Sequence, residues 1–172
     1  YNEVIIIVKN IKGGNVMKRK RVTRMLSMMM TTSMLAGTFM IGMSARAEES
    51  QEPTQLTFWT YVEQHTEFMQ DAVDTWNAAH PDEMIELKTE TYPTEDMHSK
   101  LLITLQSGDG APDLVDVNVA RFSDFMQGDS KVFVELNDII EPEKESFLEP
   151  VLDIYKYDGN YYGIEYHVGA PM

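Results

Sequence analysis

At 172 residues the chain is long enough for one domain of ordinary size, but its net charge of −14 is unevenly spread. Residues 1–47 carry eight Lys/Arg against the single acid Glu3, a balance of +7, while residues 48–172 carry six Lys/Arg against 27 Asp/Glu, a balance of −21. The acidic part argues against binding to nucleic acid or anionic membranes, which need clustered positive charge, and the lack of cysteine excludes a disulfide scaffold, thiol catalysis and Cys-ligated zinc.

The basic run Met17-Lys18-Arg19-Lys20-Arg21-Val22-Thr23-Arg24 is followed by an apolar, Met-rich stretch from Leu26 to Met43, and Ser44-Ala45-Arg46-Ala47 closes it with small residues. That order is the signature of a secretory signal peptide cut after Ala47. The competing reading is a membrane anchor, but the many hydroxyls and the Ala-x-Ala ending oppose it. Leu35-Ala36-Gly37 is followed by Thr38, so there is no lipobox cysteine to carry a lipid anchor. Tyr1–Val16 reads as a non-native leader ahead of a start at Met17, because Lys12-Gly13-Gly14 can be encoded by a purine-rich ribosome-binding sequence. The expected organisation is therefore leader 1–16, signal peptide 17–47 and mature domain 48–172, with nothing before Glu48 belonging to the fold.

After the polar lead-in Glu48–Pro53, Leu56-Thr57-Phe58-Trp59 reads as a short buried strand. Residues 64–79 read as a helix with Phe68, Met69, Ala72, Val73, Trp76 and Ala79 at helical spacing, stopped by Pro81. Ile85, Leu87 and Thr89 alternate with Glu86, Lys88 and Glu90 as a half-wet strand. Thr94 is the expected N-cap of a second helix, with Met97, Leu101, Leu102 and Leu105 as its buried stripe and Gly108 or Gly110 at its end. Leu114 to Val119 reads as a third strand, with Val115, Val117 and Val119 on one side and Asp116 and Asn118 on the other; a short helix, 121–127, carries Phe122, Phe125 and Met126. Asp158-Gly159-Asn160 marks a turn between aromatic-rich strands.

Strand–helix–strand–helix–strand predicts an α/β fold with a parallel, helix-covered sheet, in which ligands sit beyond the carboxyl ends of the strands. Those ends are Trp59–Glu63, Thr91–Asp96 and Asp116–Ala120. The chain has no Gly-x-Ser-x-Gly elbow, no His-Glu-x-x-His, no P-loop and no dinucleotide fingerprint, so no catalytic residue is assigned. His65, His80, His98 and His167 lack metal-ligand spacing, and neither a metal nor a cofactor is expected.

Three stretches in order resemble the bacterial extracellular solute-binding proteins of the sugar-binding family (family 1). The first is Leu56-Thr57-Phe58-Trp59 with the helix ending Trp76-Asn77-Ala78-Ala79-His80-Pro81. The second is Tyr92-Pro93-Thr94-Glu95-Asp96-Met97-His98-Ser99-Lys100-Leu101-Leu102, running on through Gln106-Ser107-Gly108-Asp109-Gly110-Ala111-Pro112-Asp113-Leu114. The third is Tyr157-Asp158-Gly159-Asn160-Tyr161-Tyr162-Gly163-Ile164, although Glu165 stands where the family often has Pro. The resemblance implies an incomplete first lobe of a two-lobed, periplasmic-binding-protein-like (type II) fold whose sheet receives further strands from later sequence. It also implies a secreted, non-enzymatic protein, monomeric at full length, that captures a sugar or oligosaccharide and delivers it to the permease subunits of an ABC importer.

Sugars present CH faces that stack on aromatic rings and paired hydroxyls that amides and carboxylates hold. The candidate ligand-binding residues are accordingly Trp59, Tyr61, Asp116, Asn118, Tyr166 and His167. Trp59 has a plainer reading as core, and Asp116 as a cap on a neighbouring helix. The rival functions are a secreted carbohydrate-binding or adhesion module without a transporter, and a secreted glycoside-acting enzyme built from two of the acids.

Overall fold

The computed structural model describes residues 3–8, 52–127 and 133–167. The expected signal peptide and its cut after Ala47 lie outside these residues. Five strands form one mixed sheet in the order β3-β2-β4-β1-β7: β1 (Glu3–Ile7), β2 (Thr54–Thr60), β3 (Ile85–Thr91), β4 (Leu114–Asn118) and β7 (Ile164–His167). β2 runs parallel to β3 and β4, and β1 runs antiparallel to both β4 and β7, so β7 points the same way as β4.

The helix α1 (Glu63–Ala79) connects β2 to β3, and α2 (Thr94–Ser107) connects β3 to β4. α1 buries Met69, Val73 and Trp76 with Leu56, Phe58 and Leu114 on one face of the sheet. α2 and the following helix α3 (Val119–Met126) bury Met97, Leu101, Phe122, Phe125 and Met126 with Trp59, Val115 and Val117 on the other. The sheet is therefore covered on both sides, which is why β4 is buried along almost its whole length. Two short helices, α4 (Asn137–Ile140) and α5 (Glu149–Ile154), lead to the hairpin β5 (Lys156–Tyr157) and β6 (Asn160–Tyr161).

Much of the sequence in the recognised stretches serves these joints. Trp76 stacks on His80 at 3.8 Å and donates its indole N–H to the Glu83 carbonyl at 2.9 Å. The Asn77 amide bonds both the N–H and the carbonyl of Ile85, seating the first residue of β3. Asp113 Oδ2 accepts from both the backbone N–H and the hydroxyl of Thr57, each at 2.9 Å, clamping the start of β4 to β2. Asp158 and Gly159 take φ of 48° and 82°, the left-handed pair that a two-residue hairpin needs.

The structure departs from expectation in three places. Phe68 is 42% exposed because the α1 stripe runs through His65, Met69, Val73 and Trp76, one helical face away. Pro93, not Thr94, is the N-cap of α2, and no side chain caps that end; Thr94 has already entered the helix. Third, Glu3–Val8 was expected to stand outside the fold, yet it lies between β4 and β7 with Ile5, Ile6, Ile7 and Val8 at most 4% exposed. Val4-Ile5-Ile6-Ile7-Val8 is a β-branched run, apolar on both faces, and that suits a strand buried from both sides.

Candidate functional site

Pairing between β2 and β4 lasts only for Phe58↔Leu114 and Trp59↔Val115. Beyond that point the two strands are joined by side chains. The Thr60 hydroxyl donates to Asp116 Oδ2, and His65 Nδ1 lies 2.8 Å from the same oxygen. Thr60 Oγ1 also accepts the Val62 N–H at 3.0 Å, so the turn into α1 is fixed by the same residue. Thr60 and Asp116 are fully buried and His65 is 8% exposed. This knot ties β2, β4 and the first turn of α1 together beneath the point where the strands part.

α1 and α2 cover opposite faces, so the gap between the carboxyl ends of β2 and β4 is the place where the chain's crossovers change side. Open α/β sheets bind ligands in that crevice. Tyr61, Val62 and Glu63 follow the end of β2, and Asn118, Val119 and Ala120 lie at the end of β4 and the start of α3. Asn118 Oδ1 accepts the Ala120 N–H at 2.9 Å, capping α3, and the Asn118 backbone N–H bonds His98 Nε2 at 3.2 Å. His98 Nδ1 in turn lies 2.6 Å from the Thr94 carbonyl. That oxygen can only accept, so the proton is on Nδ1 and the imidazole is neutral. Burial holds the His98 pKa below its ordinary value; the bond to Thr94 offsets part of this, and nearby Arg121 adds to it. Tyr61, half-buried, rests against the His98 ring with centroids 5.4 Å apart. Arg121 closes the far side, bonding Glu95 at 2.9 Å and Asp124 at 2.7 Å.

The sequence candidates thus fall at two depths. Tyr61 and Asn118 stand at the rim. Trp59 is 4% exposed and sits edge-on to Tyr92 at 5.3 Å, with the Lys100 ammonium 4.2 Å from both ring centroids. Asp116 is engaged in the knot below. Tyr166 and His167 end β7, and Glu3 is the common partner of Asn118 and His167. Two strand spacings of about 4.8 Å put the backbones of Asn118 and His167 roughly 10 Å apart along the same edge; the side chains of Tyr166 and His167 lie outside the description. Sequence reasoning missed Thr60, His65 and His98. Their role depends on which strand ends meet, and no local pattern announces that.

The sequence profile of the bacterial extracellular solute-binding proteins matches residues 62–171, which begin one residue after Tyr61 and include Asn118. The chain belongs to that family. Two curated members resemble this chain closely. The arabinooligosaccharide-binding protein of Halalkalibacterium halodurans is 46% identical over 75% of this chain and 29% of its own length. The arabinooligosaccharide-binding protein of Bacillus subtilis is 38% identical over 91% of this chain and 35% of its own. The chain thus spans about a third of the length of these relatives. A solved ABC substrate-binding protein, Lmo0181 from Listeria monocytogenes in complex with cycloalternan, matches more loosely, with 23% identity and a TM-score of 0.47 over 64% of this chain and 28% of its own.

Proposed function

We propose that this chain forms the first lobe of an exported receptor that captures an oligosaccharide, arabinose-based as the names of its relatives suggest, for an ABC importer. The observation that carries the reading is the crevice where β2 and β4 part, walled by an aromatic ring at Tyr61 and an amide at Asn118. These groups suit a sugar's CH face and hydroxyls. Tyr61 and Asn118 are the direct contacts, joined by Tyr166 and His167 from the end of β7. Trp59 and Asp116 act from beneath, holding Tyr92, Lys100 and the turn into α1 in place. The partners are the sugar and the importer's permease subunits. No chemical step is assigned to the site. Export follows from a signal peptide cut after Ala47, and N-terminal sequencing of the secreted protein should begin at Glu48.

Calorimetric titration of the full-length protein with arabinooligosaccharides tests the assignment. Tyr61→Ala should weaken binding by roughly 1–3 kcal/mol. Asn118→Asp keeps the cap on α3 but replaces a donating Nδ2 by an acceptor, and should weaken binding by a similar amount. Unchanged affinity in both folded variants would move the sugar elsewhere.

A further inference from the structure

His98 is fully buried, yet it touches both residues proposed to meet the sugar at the rim. The Tyr61 ring rests against it at 5.4 Å, and Phe125 lies against it at 5.9 Å. Its Nδ1–H donates to the Thr94 carbonyl at 2.6 Å, and its Nε2 accepts the backbone N–H of Asn118 at 3.2 Å. Asn118 is the residue at which β4 gives way to α3, and its side-chain oxygen is committed to the Ala120 N–H. The place of its side-chain amide is therefore set by that cap and by a backbone that His98 holds.

Only the neutral ring fits between these partners. A proton on Nε2 would set two N–H groups against each other across 3.2 Å, losing the bond and leaving both donors unpaired. The charged groups that face His98 are Glu95 on α2 and Arg121 and Asp124 on α3. Burial is the largest influence and disfavours the charged ring; the Thr94 carbonyl, Glu95 and Asp124 favour it, and Arg121 opposes it. His98 is thus neutral near pH 7 and takes up its proton as the pH falls below about 6.5. We propose that His98 is a positioning residue of the sugar site: its neutral ring holds Asn118 and Tyr61 in the binding arrangement, and its protonation loosens both and releases the ligand. The inference rests on the reading of Tyr61 and Asn118 as sugar contacts. By linkage, a sugar that prefers the neutral form displaces the His98 proton, and acid weakens its binding.

The test is a calorimetric titration of arabinotriose into the full-length protein between pH 7.5 and pH 5, with circular dichroism confirming the fold at each pH. Affinity should be constant above about pH 6.5 and fall about tenfold below it. His98→Gln supplies an acceptor near the Nε2 position that does not titrate, and its affinity should vary less than about twofold over the range. His167, a proposed contact, is a second histidine that titrates in this window. A fall of the same size in His98→Gln would place the effect there and overturn the proposal, as would a native affinity that ignores pH. A second measurement needs neither sugar nor variant. In the native protein the amide resonance of Asn118 should move along the same titration curve as the His98 ring resonances. An Asn118 amide that stays still while His98 titrates would also overturn the proposal. Failure to bind arabinotriose at pH 7.5, with the Asn118 amide still following His98, would instead remove the receptor reading, and this inference with it.

Discussion

His98 connects α2 to the end of β4 through its two ring nitrogens, and only the neutral ring can do this, since Nε2 must accept from Asn118. Burial keeps its folded pKa below the ordinary 6.5. The unfolded chain therefore binds more protons in the window beneath about pH 6.5, and stability that is complete above it is lost as the pH falls through it. The melting temperature of the full-length protein should drop between pH 7.5 and pH 5. His98→Gln, which cannot titrate, should flatten that part of the drop; an identical pH profile in the variant would remove His98 as its source. Asp116 poses a different question, since its carboxylate is the common acceptor for Thr60 and His65. Asp116→Ala leaves a hydroxyl and an imidazole buried without that acceptor and should cost about 3 kcal/mol in a urea titration. A cost near zero would mean the knot does not hold β2 to β4.

Among the elements, the hairpin β5–β6 shows how far local chemistry reaches. Its turn needs positive φ at Asp158 and Gly159, and at Gly159 a Cβ would meet nothing within 4 Å, so only backbone strain opposes a side chain. Gly159→Ala should therefore cost about 1 kcal/mol by thermal melt, and Gly159→Val more. A loss near zero would mean that the turn relaxes freely. Elements of this local kind could be read from the residues alone: the turn, most of the α1 and α2 stripes, Gly108 closing α2 with φ of 68°, and the alternation in β4. Helix and strand periodicities and glycine's conformational range act within a few residues. The place of β1 could not be read, because its partners lie more than 100 residues away and the charge and composition of residues 1–47 pointed to export. The same limit hid the burial of Trp59. A Trp at a strand end is equally a stacking platform or a core residue, and only Tyr92 and Lys100 closing over it decide which. The expectation of a site at the strand ends, in contrast, needed strand order alone.

For the molecule as a whole, a crevice at the edge of one lobe would leave much of the proposed oligosaccharide exposed, whereas ligand sites usually enclose most of their ligand. These relatives are about two and a half times as long as this chain, and in the proposed receptor a second lobe supplies the remaining surface. Removing it should cost about 4 kcal/mol, or roughly a thousandfold in affinity. The most direct measurement is a calorimetric titration of arabinooligosaccharides into the full-length protein and, in parallel, into residues 48–172. The proposal predicts saturable binding near about 1 μM for the full-length protein and at best about millimolar binding for the lobe. A folded full-length protein that releases no heat with any oligosaccharide, or an isolated lobe that binds as tightly as the whole, would contradict it.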